Sequence, residues 1–182
     1  MGRRAGCVLL LFLCCVLFFG FPVESSAAES PHRFEFALGP GISLSNLDSR
    51  QLLLAPAVSI PVKGTGFLRF RIEGNAEFID FHDKFNAVLG VAPFFRTILP
   101  KGRVRPFAEI GGGINYSTHT YLDGDRLKGP FLFSAMANAG LEFTFQGRPA
   151  SLSYRVRHLS NGHLYHCNKG INSQYLMMSV SF

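Results

Sequence analysis

Phe67-Leu68-Arg69-Phe70-Arg71-Ile72-Glu73-Gly74-Asn75-Ala76-Glu77-Phe78 alternates with a period of two. Leu68, Phe70, Ile72, Ala76 and Phe78 fall on one face, and Arg69, Arg71, Glu73, Asn75 and Glu77 on the other. Successive side chains of a strand point to opposite sides, so this stretch is a strand with one oily face and one charged face. Helical periodicity does not compete here or in the other apolar segments.

The pattern recurs on both sides of that stretch. Strands are predicted over residues 33–44, 51–62, 67–78, 86–99, 104–116, 129–145, 150–159 and 173–182. Phe34, Phe36 and Leu38 oppose Glu35; Ile110, Ile114 and Tyr116 oppose Glu109 and Asn115; Phe131, Phe133 and Leu141 oppose Ser134, Asn138 and Glu142. The segments 51–62 and 86–99 do not reveal which face is which. Connections are short after the second, fourth and sixth strands (63–66, 100–103, 146–149) and are read as longer and polar after the first, third, fifth and seventh. An even strand number, alternating connections and an oily face together describe an all-β, eight-stranded antiparallel β-barrel of a bacterial outer membrane, with the short turns periplasmic. Such a barrel is just wide enough for side chains to fill. Arg69, Arg71, Arg155 and Arg157 against Glu35, Glu73, Glu77, Glu109 and Glu142 are therefore expected to plug the bore with ion pairs. Leu176, Met178, Val180 and the terminal Phe182 share one face, which looks like the assembly signal of bacterial outer-membrane barrels. Trp is absent, so Phe and Tyr must supply any aromatic girdle.

Residues 1–28 read as a secretory signal: Arg3 and Arg4, an apolar core over 8–21, then Ser26-Ala27-Ala28. That leaves 29–182 as one transmembrane barrel domain, with the formal charge falling from +6 to +5. Cys7, Cys14 and Cys15 leave with the signal, and Cys167 alone excludes an intramolecular disulfide. A basic exported chain suits an anionic lipid or cell-surface polymer; no nucleic-acid partner is expected. Arg50, Lys84, Arg126, Lys128 and Lys169 fall in or beside outer loops, where they either pair with lipid phosphates or form a solvated rim.

The chemistry-bearing stretch is Tyr154-Arg155-Val156-Arg157-His158-Leu159-Ser160-Asn161-Gly162. By parity His158 and Ser160 share the oily face with Leu152, Tyr154 and Val156, at the outer end of the seventh strand. A serine beside an imidazole that takes its proton is a nucleophile. The position implies an ester in the outer leaflet, with Asn161, Gly162 and Asn168, or their backbone N–H groups, as donors to the oxyanion. The plainer alternative is a pair of interfacial polar residues at a strand end. His163, His166 and Cys167 lack a fourth ligand at a clear spacing, so no metal or cofactor is expected. Gly111-Gly112-Gly113 lies within a strand with no Lys-Ser/Thr after it, which favours strand curvature over a phosphate loop.

His158-Leu159-Ser160-Asn161, then Asn168-Lys169-Gly170-Ile171-Asn172, then a last strand ending in Phe182 resemble the PagL family of outer-membrane lipid A 3-O-deacylases. The motifs cover residues 154–182, and the predicted barrel extends the likeness less specifically to the whole mature chain. The resemblance implies a serine esterase that removes the 3-O-linked acyl chain of lipid A in lipopolysaccharide. Ser160 would be the nucleophile and His158 the general base. The family's acid, a glutamate, should stand about twelve residues after the serine; here that residue is Asn172, and no Asp or Glu follows Glu142. Asparagine can orient a histidine, as in Cys-His-Asn proteases, but brings no full charge to the imidazolium, so a slower reaction is expected. Asp123 or Asp125 is an alternative source of the acid. The rival reading is a non-catalytic eight-stranded barrel with a structural or adhesion role.

Overall fold

A computed structural model describes residues 32–44, 48–81, 84–99, 101–122, 125–126, 129–165 and 169–182. The predicted signal, Asp123, Lys128, His166, Cys167 and Asn168 lie outside the described residues. The described residues form ten strands: β1 (Arg33–Ser43), β2 (Arg50–Pro61), β3 (Leu68–Phe81), β4 (Lys84–Ile98), β5 (Val104–Ser117), β6 (Tyr121–Leu122), β7 (Asp125–Arg126), β8 (Phe131–Phe145), β9 (Arg148–Ser160) and β10 (Ile171–Ser181). Eight of them close into an antiparallel barrel in the order β1-β10-β9-β8-β5-β4-β3-β2. Closure pairs the first strand with the last, Phe36 opposite Val180 and Ile42 opposite Gln174, so no strand edge of the cylinder is left open.

The facing read from alternation holds. Along β3, Arg71, Glu73, Asn75 and Glu77 are buried, while Ile72 is exposed on the outer wall. The two undecided strands follow suit: Leu53, Ala55, Ala92, Phe94 and Arg96 point inward, while Leu89, Val91 and Phe95 point out. Exposed apolar side chains over the outer wall are what hydrocarbon solvates. Aromatic pairs mark both ends of that wall, Phe70 with Phe95 at one (5.5 Å) and Phe78 with Phe85 (5.9 Å) and Tyr116 with Phe131 (5.7 Å) at the other.

Inside, the expected charges, Arg69 excepted, form a cross-bore network of ion pairs. Among the described residues Arg69 makes no ion pair and donates instead to Ser59 Oγ at 2.8 Å and to the Ser59 carbonyl at 3.1 Å. Arg155 donates from Nη1 and Nη2 to the two carboxylate oxygens of Glu73, at 2.7 and 2.9 Å. Arg71 joins Glu73 to Glu35, and Arg96 joins Glu35 to Glu109. Arg157 donates to Glu77 and, at 2.7 Å, to Asn115 Oδ1. Such bidentate, hydrogen-bonded pairs offset the cost of taking charge out of water.

Three expectations need correction. The bore is not lined by polar side chains alone: Ile79, Val88, Leu132, Leu159 and Ile171 form an apolar cluster at the end nearest His158. The connection after β3 is not long, because the β3–β4 ladder runs on to Phe81 opposite Lys84 and leaves only residues 82–83 between. Nor is the connection after β1 long: residues 44–49 are as many as residues 62–67 after β2. The connection after β5 is long, as read, and carries its own two-stranded hairpin, β6–β7. Gly111 does more than permit curvature. A Cβ there would lie 2.5 Å from the ring of Phe94, and the space it leaves is taken by that ring, over which Arg71 and Arg155 stack at 5.6 and 5.1 Å.

Candidate active site

β9 and β10 lie side by side, with Asn172 directly opposite His158 and Ile171 opposite Leu159. The pairing brings together residues fourteen apart in the chain: His158 Nδ1 lies 2.8 Å from Asn172 Oδ1. Both side chains, with Ser160, project from the outer wall, as parity requires. Two steps along an extended strand is about 6.6 Å, so His158 and Ser160 stand on neighbouring outward positions of one strand. The Ser160 hydroxyl makes no hydrogen bond among the described residues, His158 included.

The pair is fastened from both sides of the wall. On the outside, Tyr154 donates its hydroxyl diagonally across the same two strands to Gln174 Oε1, Gln174 itself standing opposite Val156. On the inside, Leu159 and Ile171 are buried in the apolar cluster, so the residues flanking His158 and Asn172 are anchored in the bore. Beside His158 the wall is hollowed. Ala135 and Ala137 on β8 are short, and with Val156, Asn172 and Leu44 they line a lipid-side groove of about 470 Å³.

The remaining predicted residues divide. Asn161 is fully buried, on the inward parity; its Oδ1 accepts from the His163 N–H at 2.9 Å and so closes the turn after β9. Gly162 is exposed in that turn with φ +56°. Arg50, Lys84 and Lys169 are exposed at the same end of the barrel as His158. The side chains of Asp125 and Arg126 are not among those described. Sequence reading quoted Gly170 within the motif but gave it no role of its own; a Cβ at Gly170 would meet the far edge of the His158 ring. Its signal was a glycine placed one residue before a strand that pairs with the histidine's own.

With this geometry in hand, comparisons with known proteins point one way. A family model described as lipid A 3-O-deacylase (PagL) matches residues 62–181. The chain belongs to the PagL family. Among solved structures it is similar to the outer membrane enzyme PagL, with a TM-score of 0.69 and 21% identity over 81% of this chain and 98% of that one. Neisserial surface protein A aligns at TM-score 0.58 and 11% identity, covering 82% and 94% of the two chains. The N-terminal barrel domain of Pseudomonas aeruginosa OprF aligns at TM-score 0.51 and 15% identity, covering 84% and 98%. At these identities the structures speak for the shared fold. A search of curated proteins by sequence finds no match. Membership of the PagL family and the closed eight-stranded barrel together place the protein in the bacterial outer membrane.

Proposed function

We propose that this PagL-family protein removes the 3-O-linked acyl chain of lipid A, with Ser160 as nucleophile, His158 as general base and Asn172 as the residue that holds the ring. The observation that carries the reading is the 2.8 Å contact between His158 Nδ1 and Asn172 Oδ1. An amide oxygen accepts, so the ring carries its proton on Nδ1 and keeps the Nε2 lone pair for Ser160. Ser160 Oγ attacks the ester carbonyl and passes its proton to Nε2. The tetrahedral intermediate then expels the 3-oxygen of the sugar, which takes that proton back. Water, deprotonated by the same imidazole, cleaves the acyl-serine and releases a fatty acid. Donors to the oxyanion come from Gly162, Asn168 or their backbone N–H groups, while Asn161, buried on the inward side, holds the turn after β9. The two longest connections, after β5 and after β9, lie at this end of the barrel, so by the rule for outer-membrane barrels the site sits in the outer leaflet, where lipid A is. The groove at Ala135 and Ala137 gives the departing acyl chain a place along the wall.

A second reading, a barrel without catalysis, is favoured by one observation: the family's acid position holds Asn172, and the sequence has no carboxylate after Glu142. Mass spectrometry of lipid A from cells making the wild type or Ser160→Ala separates the two. Loss of one hydroxyacyl group with the wild type alone supports the deacylase, and unchanged lipid A in both supports the rival. Asn172→Glu is expected to raise the rate, because a carboxylate stabilises the imidazolium that forms in the transition state; no gain would sink the assignment of Asn172 to the acid's place.

A further inference from the structure

The His158 ring is tethered at Nδ1 by Asn172, while Cε1 and Nε2 lie against Gly170. Gly170 is buried and has φ +71°, in the left-handed region. A Cβ there would stand 2.7 Å from His158 Cε1, 3.0 Å from Nε2 and 2.9 Å from the Leu159 carbonyl oxygen. None of these yields easily: the carbonyl belongs to the strand that pairs with β10, and the ring is held at its other edge. Ile171 pairs with Leu159, so Gly170, one residue earlier, is level with Ser160 across the two strands. A side chain at 170 would thus press on the edge of the imidazole that must meet the serine.

We propose that Gly170 is a positioning residue. Its missing side chain lets the imidazole lie down on the backbone, held between Asn172 at one edge and bare main chain at the other, with Nε2 turned to the Ser160 hydroxyl. This rests on the deacylase reading above, and it makes the glycine as necessary to the reaction as the residue that holds Nδ1.

Two substitutions separate space from backbone conformation. Asparagine adopts the left-handed region far more readily than alanine, yet both carry a Cβ. Gly170→Asn and Gly170→Ala are therefore made in the full chain, and barrel assembly is checked by heat-modifiable gel mobility. Gly170→Asn preserves the backbone and is expected to assemble. Both variants are expected to lose about a hundredfold in kcat on lipid A with KM little changed, the scale of a reacting group displaced by about 1 Å. Nitrogen-15 spectra of the His158 ring provide the second readout: one tautomer, protonated at Nδ1, in the wild type, and a mixture in each variant. Wild-type rate and an unchanged ring spectrum in Gly170→Asn would overturn the proposal. If the wild type leaves lipid A intact, the deacylase reading fails on its own. The ring spectra then decide about Gly170: a mixture supports its hold on the imidazole, and an unchanged spectrum ends it.

Discussion

Asn172 and Gly170 grip one imidazole from opposite edges, and neither brings a charge. Replacing Asn172 by Leu keeps the bulk and removes the acceptor, leaving Nδ1–H unpaired. The expected cost is about 1–3 kcal/mol in the transition state, or roughly tenfold to a hundredfold in kcat. Steady-state kinetics on lipid A in mixed micelles checks this, and an equal rate would mean that the ring is held by something else. A different kind of residue is Asn75, buried in the bore with neither amide atom paired among the described residues. Asn75→Leu is expected to stabilise the barrel by about 1 kcal/mol, read as a higher urea midpoint for unfolding from detergent. The outward placement of His158 and Ser160 was legible from alternation alone, because parity fixes the face of every residue once a strand is recognised; the role proposed for them came from the resemblance. The part played by Gly170 was not legible. Its meaning lies in the ring that rests on it from the neighbouring strand, and a single sequence does not state the register of Ile171 against Leu159.

β9 and β10 carry the candidate catalytic residues, and β3 ties the two together from across the bore. Glu77 on β3 accepts from Arg157, the residue before His158, and from the hydroxyl of Tyr175, three residues after Asn172. Glu77→Leu leaves Arg157 without its carboxylate and is expected to cost about 3–5 kcal/mol. Adding Arg157→Leu should recover most of that loss, and a double variant no better than the single one would refute an ion-pair role. Leu159→Ala, beneath the site, opens a cavity in the inner apolar cluster and should cost about 2–4 kcal/mol by the same unfolding measurement. The strands themselves were largely legible, since β3, β5, β8 and β9 alternate oily and polar residues. In β2, Leu52 and Leu54 face out while Leu53 and Ala55 face in, so hydropathy could not orient it. The hairpin β6–β7 went unread although Asp123-Gly124 is a turn dipeptide, because two-residue strands carry no period to detect.

For the molecule as a whole, the bore is a solid core. Arg71, Arg155, Arg157, Tyr175 and Phe94 are fully buried within it. Reconstituted into planar bilayers, the protein is expected to give no stepwise conductance; discrete channel openings would contradict the packed interior. Ser160 and His158 open sideways, from the wall and not from the bore. On the proposed reading, the reactant therefore has no need to leave its leaflet, and encounter happens in two dimensions. The quantity that governs supply is molecules per unit area, not moles per litre. Diluting lipid A with inert detergent at constant bulk concentration should slow turnover in proportion to its surface fraction, whereas adding water alone should change nothing.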